Sequence, residues 1–260
     1  MTKLFKIFVL LLLIASCKSK NNQKRVLSNN FPFQIDTILK FNTNFNIYIQ
    51  ESDSISTIGT SSIQKNKDSI SKLYDNSHRQ AIELEKLMIQ KYNKVVKKDS
   101  LGLHLKLNNG KWVTLVLNLR LEELDLNFEN YFEHYGYFLV RAQWGEGNGY
   151  KIINAKTGKQ TSIIGAPYFS KNGKYIVSIN MDLIAGYSPN GFDFFEIRKD
   201  SLLKLGSYHP VQWGPYNAKW INNNEVILKN KGFEWTQYRA IDTSFYVKIK
   251  LKTVANTGYN

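Results

Sequence analysis

The chain has 260 residues, of which 43% are hydrophobic and 22% are charged, so it can bury a substantial core in one or two domains. This composition excludes collagen-like and low-complexity chains. Its single cysteine, Cys17, excludes an internal disulfide. The formal net charge is +14, which favours anionic surfaces as partners.

Residues 1–16 have the organisation of a secretory signal peptide. Lys3 and Lys6 precede an apolar run over residues 7–15, well short of the roughly 20 residues that a transmembrane helix needs. Ile14-Ala15-Ser16-Cys17 resembles the lipobox of bacterial lipoproteins. The resemblance implies cleavage after Ser16 and acylation of Cys17, so that lipid chains hold the protein on the membrane. An ordinary signal peptide followed by a chance cysteine is the alternative.

Removal of the signal peptide changes the account of charge and chemistry. Loss of Lys3 and Lys6 reduces the 35 basic residues to 33. With 21 acidic residues, the formal net charge of the processed protein is +12. With Cys17 acylated, no thiol remains for catalysis, disulfide exchange or zinc binding. Lys18 rather than aspartate follows the cysteine, which favours the outer over the inner membrane of a bacterial envelope. We expect no nucleic-acid partner, because an exported protein rarely meets one.

The segment after the lipobox divides into a tether and a mixed region. Residues 17–30 are polar and basic, and predict a flexible tether. Residues 31–100 predict one or two strands, a loop over 51–66 and one amphipathic helix.

The helix is predicted from both its start and its periodicity. Ser77 and Gln80 have the spacing of a capping box, in which each side chain satisfies a backbone amide of the first turn. Ala81, Leu84 and Met88 then recur at three- and four-residue intervals on one face. We expect this face to pack on the protein's own core, although a basic helix could also bind a membrane or a partner.

Residues 101–255 are predicted to form β-structure. Leucines alternate over residues 101–107, and Asn109-Gly110 predicts a hairpin turn before a second strand at 112–119. The stretch Ala-Pro-Tyr-Phe-Ser-Lys-Asn-Gly-Lys-Tyr-Ile-Val-Ser at 166–178 resembles the strand-turn-strand unit of WD-repeat-like and TolB-type β-propeller blades. A degenerate copy follows at 218–228.

This resemblance implies a mainly β fold: irregular or partial β-propeller-like antiparallel sheets with one amphipathic helix. The length allows about four or five blades of roughly 40 residues, near the lower limit for a closed ring. An open or irregular ring is therefore expected, with the helix covering a sheet edge.

Aromatic residues next to turns are the candidate binding residues. The tripeptide Gln-Trp-Gly occurs at both Trp144 and Trp213, with Tyr150, Tyr187 and Tyr216 near similar junctions. Together they predict a shallow face for a protein or a glycan. The alternative is that these rings wedge between blades.

The sequence predicts no catalytic residue, no metal site and no cofactor. Its four histidines lack metal-binding spacing, and phosphate-binding and nucleophile-elbow motifs are absent. We therefore expect a non-catalytic binding or scaffold module of the bacterial cell envelope. The alternative is a carboxylate-dependent envelope glycan hydrolase, for which Asp193 and Glu196 are the candidate acids.

Overall fold

The computed structural model describes residues 25–26, 35–36, 38–42, 45–52, 62–234 and 237–253. Residues 1–16, Cys17 and most of the predicted tether lie outside the described residues. Within the described ranges, no helix combines the length and the apolar character that crossing a membrane requires.

The protein is mainly β, as predicted, and every strand pairing in the described chain is antiparallel. Two of the sheets are small. One pairs β1 (Arg25–Val26) with β2 (Ile35–Asp36). The other contains three strands, β5 (Val96–Asp99), β6 (Gly102–Lys106) and β7 (Trp112–Leu115). The β6–β7 hairpin turns at Asn109-Gly110, which confirms the predicted hairpin.

Two four-stranded meanders follow in which each strand pairs with the next. The first contains β8 (Asp125–Phe132), β9 (Tyr137–Trp144), β10 (Gly147–Asn154) and β11 (Gln160–Ile163). The second contains β12 (Ala166–Phe169), β13 (Tyr175–Asn180), β14 (Gly191–Arg198) and β15 (Ser201–Tyr208). The predicted blade unit at 166–178 forms β12, its turn and the first part of β13.

The last sheet joins the two ends of the chain. Its order is β16 (Trp213–Trp220), β17 (Glu225–Glu234), β18 (Arg239–Thr253), β4 (Phe45–Ser52) and β3 (Ile38–Asn42). We call it the closing sheet. Ile49 of β4 lies opposite Ile249 of β18, so this sheet crosses the predicted division between residues 31–100 and 101–255.

Two α-helices, not one, are present in the described chain. Helix α2 (Ser77–Lys91) is the predicted one, but a separate helix α1 (Ser62–Ser71) begins inside the expected loop. The capping-box prediction is wrong in its residue. Asn76 is the N-cap, because its Oδ1 accepts the amide of Arg79 at 2.8 Å, while the Gln80 side chain donates to the carbonyl of Tyr74.

Among the residues that the structure describes, three apolar clusters lie between successive layers. The first lies between the β12–β15 sheet and the closing sheet, and a smaller one lies between the two four-stranded meanders. The third joins both helices, the β5–β7 sheet and the β8–β11 sheet. Successive antiparallel sheets packed in chain order, with helices in place of a further sheet, give the predicted partial propeller-like architecture.

Candidate functional site

A cavity lies where edge strands of three sheets and both helices converge. Its volume is about 550 Å³, within the range usual for ligand sites. The strands β8, β12 and β16 form its walls and the helices α1 and α2 close it. We call it the larger cavity.

Aromatic side chains form much of its apolar lining. The Trp220 indole donates to the carbonyl of Tyr168 at 2.9 Å, and the Tyr168 hydroxyl donates to Asn217 Oδ1 at 3.2 Å, which holds β12 against β16. Tyr135 stacks on Phe169 with ring centroids 4.2 Å apart. These contacts fix the rings in place, so the cavity is preformed.

The charged lining of the larger cavity is mostly basic. Four lysines line it against one carboxylate, Glu129. Glu129 is already paired, because its Oε2 lies 2.6 Å from the Lys67 Nζ. The lysines are Lys67, Lys91, Lys171 and Lys219. The lining therefore carries a net positive charge.

The ammonium of Lys67 is held in its charged form. Burial works against the ammonium of Lys67, but the charge and hydrogen bond of Glu129 outweigh it and raise the pKa of Lys67 above its ordinary value. Burial also raises the pKa of the phenols of Tyr150 and Tyr168. Both tyrosines therefore stay neutral at physiological pH and can donate hydrogen bonds.

A second cavity, of about 280 Å³, lies on the other side of this ion pair. Lys67 and Glu129 line both cavities and so stand between them. The remaining lining of this smaller cavity comes from both helices, from β9 and β10, and from the end of β13: Ile70, Ser77, Gln80, Ala81, Leu84, Arg141, Asn148, Tyr150 and Asn180.

The structure does not gather the five predicted aromatic residues into one face. Tyr150 lines the smaller cavity. Trp213 is only 1% exposed and packs in the core between the β12–β15 sheet and the closing sheet. Its position matches the alternative interpretation, a ring wedged between blades, since a buried ring offers no surface to a ligand.

The other three aromatic residues have separate surroundings. The Trp144 ring covers Gly147 and Gly149, where an added Cβ would come within 2.5 Å of it. Tyr187 is 55% exposed in the loop before β14. The Tyr216 hydroxyl bonds to Ser244 at 2.7 Å, and Lys229 and Lys231 lie over its ring. None of these three lines the larger cavity.

The two carboxylates of the hydrolase alternative are each paired with a cation. Asp193 is buried 2.8 Å from the Lys204 ammonium. Glu196 lies 3.1 Å from Arg198 and 3.8 Å from Lys174. Each carboxylate is thus engaged in an ion pair of its own sheet.

The charged residues that line the two cavities are not among the site residues predicted from the sequence. Arg141 interrupts the apolar run of β9, and Glu129 lies in β8 beside the buried Phe128. A charge inside a buried strand is a signal that could have identified both. Lys67 lies in a segment rich in Ser, Asn and Lys, which carries no such signal. Among the described residues, no cluster of three potential metal ligands occurs.

Comparison with known proteins adds one similarity. No protein-family model and no curated protein matches the chain. Among solved structures, it is similar to TolB from Acinetobacter baumannii, with 10% identity and a TM-score of 0.26 over 60% of this chain and 39% of that chain. The match thus spans well under two thirds of TolB. A similarity at this level assigns neither a function nor a partner.

Proposed function

We propose that this protein is a non-catalytic binding module of the bacterial cell envelope that takes an acidic segment of a partner protein into the larger cavity. The observation that carries the proposal is the lining of that cavity: fixed aromatic rings and four lysines, with one carboxylate that Lys67 already neutralises. Preformed cavities of this size with a few charged groups are typical ligand sites.

The charge of the cavity selects the chemistry of the partner. Lys91 and Lys171 are exposed at its border and can meet carboxylates without being desolvated first. Basic groups around a partly enclosed site also raise the local concentration of anionic ligands and their association rate. Asp or Glu side chains in a partner segment can form ion pairs with Lys91 and Lys171.

The uncharged lining favours a peptide over a glycan. Sugar hydroxyls need acceptors as well as donors. The carboxylate of the lining, Glu129, is already paired with Lys67, and Asn130 Oδ1 already accepts from the Tyr92 hydroxyl. Apolar groups instead form much of the wall, including Met88, Leu139 and Pro167. An acidic segment that carries an apolar side chain matches both parts of the lining.

The proposed location in the cell envelope rests on the sequence of the amino terminus. We propose that residues 1–16 are removed, that Cys17 carries the lipid, and that residues 17–30 tether the folded part, residues 31–255, to the outer membrane. The lipobox resemblance of Ile14-Ala15-Ser16-Cys17 supports this. The positive charge then lies close to an anionic membrane surface.

The cavity is tested by reversing two of its charges. Lys91→Glu combined with Lys171→Glu changes the charge by the same amount as a control, Lys159→Glu combined with Lys199→Glu, at exposed positions outside the cavity. We expect binding of acidic peptides with one aromatic residue, measured by fluorescence anisotropy, to weaken by about tenfold or more in the first variant. The control pair should bind like the wild type.

Two outcomes would overturn the cavity proposal. In one, both double variants bind acidic peptides equally. In the other, a glycan array captures the protein while no acidic peptide binds. In intact cells, a photo-crosslinker at residue 171 should trap an acidic protein, and the trapped sequence identifies the segment.

The anchor is tested separately. Labelled palmitate should enter the wild-type protein but not Cys17→Ala, and Cys17→Ala should leave the membrane fraction. Unchanged fractionation together with no label in the wild type would remove the lipid anchor from the proposal and leave the cavity proposal intact.

A further inference from the structure

Arg141 is the central feature of the smaller cavity. It lies in β9, is 4% exposed, and its Nη1 has no hydrogen-bond partner among the described residues. Asn127 and Tyr150 are its neighbours on the two adjacent strands. Burying a guanidinium donor without an acceptor is costly, so a buried arginine that lines a cavity in this state points to an anionic ligand.

The surrounding charges favour a ligand with one negative charge. The ionisable groups with full charge that line the cavity are Arg141, Lys67 and Glu129, which sum to +1. The first turn of α2 also faces the cavity through Ser77 and Gln80, and that turn contains no acidic residue. Its helix dipole therefore adds positive potential to that of Arg141.

The remaining wall is apolar. Ile70, Ala81 and Leu84 are all buried and line the same cavity. A volume of about 280 Å³ exceeds what a bare inorganic anion fills. The ligand therefore has room for a short hydrocarbon part next to these side chains.

We propose that the smaller cavity binds a small monocarboxylate, with its carboxylate on Arg141 and a short apolar chain against α1 and α2. The guanidinium is suited to this, because it donates parallel hydrogen bonds to a carboxylate. This site is separate from the larger cavity and goes beyond the proposed function. The Asn148 side chain is a further donor in its lining, while the neutral Tyr150 hydroxyl is hydrogen-bonded to Glu129.

The probes are acetate, butyrate, hexanoate and inorganic phosphate, titrated into the full chain in detergent at constant ionic strength. Calorimetry gives the affinity, and thermal unfolding with and without butyrate gives an independent measure. We expect saturable binding that strengthens from acetate to butyrate, with phosphate weaker than butyrate. Arg141→Met should weaken butyrate binding by at least about tenfold.

The control is Arg198→Gln, which removes one positive charge from an exposed ion pair outside the cavity. It should bind butyrate like the wild type. Arg141→Lys keeps the charge and loses the paired donors, so it should bind butyrate with intermediate affinity. Because Arg141→Met removes an unsatisfied buried donor, we expect its melting temperature without ligand to stay unchanged or to rise.

Three results would overturn the proposal. They are binding of butyrate to Arg141→Met as strong as to the wild type, no saturable carboxylate binding to the wild type, and tighter binding of phosphate than of any carboxylate. If Arg141→Met fails to fold, the wild type, Arg141→Lys and the chain-length series still decide the question.

Discussion

Two interfaces of this protein are built on opposite principles. Between the β12–β15 sheet and the closing sheet, rings such as Phe192, Phe194 and Trp213 are fully buried, and Phe192 meets Phe194 edge to face. Between α2 and β8, the contacts include a charged network around Glu85 and Lys98. The first interface is held by apolar area and the second also by hydrogen bonds and charge.

The difference follows from which part of a sheet is covered. A sheet face presents side chains, so alternating apolar residues can bury it. A sheet edge presents backbone amides, which a packed helix cannot pair with its own backbone. β8 is the edge strand of its sheet, and Glu85 of α2 supplies the missing acceptor, its Oε1 lying 2.7 Å from the amide of Phe128.

The network extends from this carboxylate. Glu85 Oε2 accepts from the Lys98 ammonium at 2.8 Å and from the Asn127 amide at 3.2 Å. Lys98 also donates to Asp125 Oδ1 at 2.9 Å and to the carbonyl of Leu126 at 2.8 Å. Glu85 and Lys98 thus satisfy two backbone groups of the edge strand β8 that a neighbouring strand would otherwise pair. The contrast between the apolar and the charged interface is tested by mutations in each interface and by lowering the pH.

The largest effect is expected from Trp213→Ala in the apolar interface. Trp213 is fully buried against Tyr208 and Phe245, and removing such a ring costs about 3–5 kcal/mol of unfolding free energy. Urea unfolding followed by circular dichroism measures it. A loss below about 1 kcal/mol would mean that this ring does not hold the two sheets together.

A smaller effect is expected from Glu85→Ala in the charged interface. It leaves the amide of Phe128 without its acceptor and removes one partner of Lys98, so we expect a loss of about 2–3 kcal/mol. Glu83→Ala is the matched control on the same helix, because Glu83 pairs only with the exposed Arg79 and Lys86 in the described chain. The control should cost under about 1 kcal/mol. Equal losses would refute the edge-capping role.

The charged interface should also weaken in acid. Burial raises the pKa of Asp125, but hydrogen bonds from Lys98, His78 and Asn127 outweigh it, so the pKa lies below its ordinary 3.8. Stability from Asp125 is therefore complete above about pH 4 and is lost as the pH falls through the lowered pKa. Asp125→Asn should lose less stability than the wild type between pH 5 and pH 2.5. Parallel urea midpoints for the two proteins over this range would exclude the contribution.

The smallest effect is expected from Tyr187→Ala. This side chain is more than half exposed and belongs to neither interface, so the change in unfolding free energy should stay within about 0.5 kcal/mol. A larger loss would mean that the loop before β14 stabilises the fold, although it belongs to neither of the two interfaces.

Local features of the fold were predictable because their signals are local. The β6–β7 hairpin follows from Asn109-Gly110, and the blade unit at 166–178 follows from its own turn residues. Helix α2 follows from its apolar face. Helix α1 was missed because its sequence, SIQKNKDSIS, has too few apolar residues for a periodic pattern, and packing against α2 compensates for this.

The candidate site was much less predictable. The predicted aromatic residues are near turns, yet burial separates them: Trp213 lies in the core and Tyr187 on the surface. The residues that form the two cavities come from strands and helices far apart in the chain. Lys67 and Glu129, 62 positions apart, meet only when α1 packs beside β8.

The sequence by itself determined the mainly β class, the turns and the amphipathic helix, and it predicts the export signal and the lipid site at Cys17. Each of these depends on neighbouring residues only. The tertiary structure alone decided that β4 pairs with β18, and that Arg141, Lys67 and Glu129 line a common cavity. Such contacts depend on how distant segments pack together, and local propensity does not encode that.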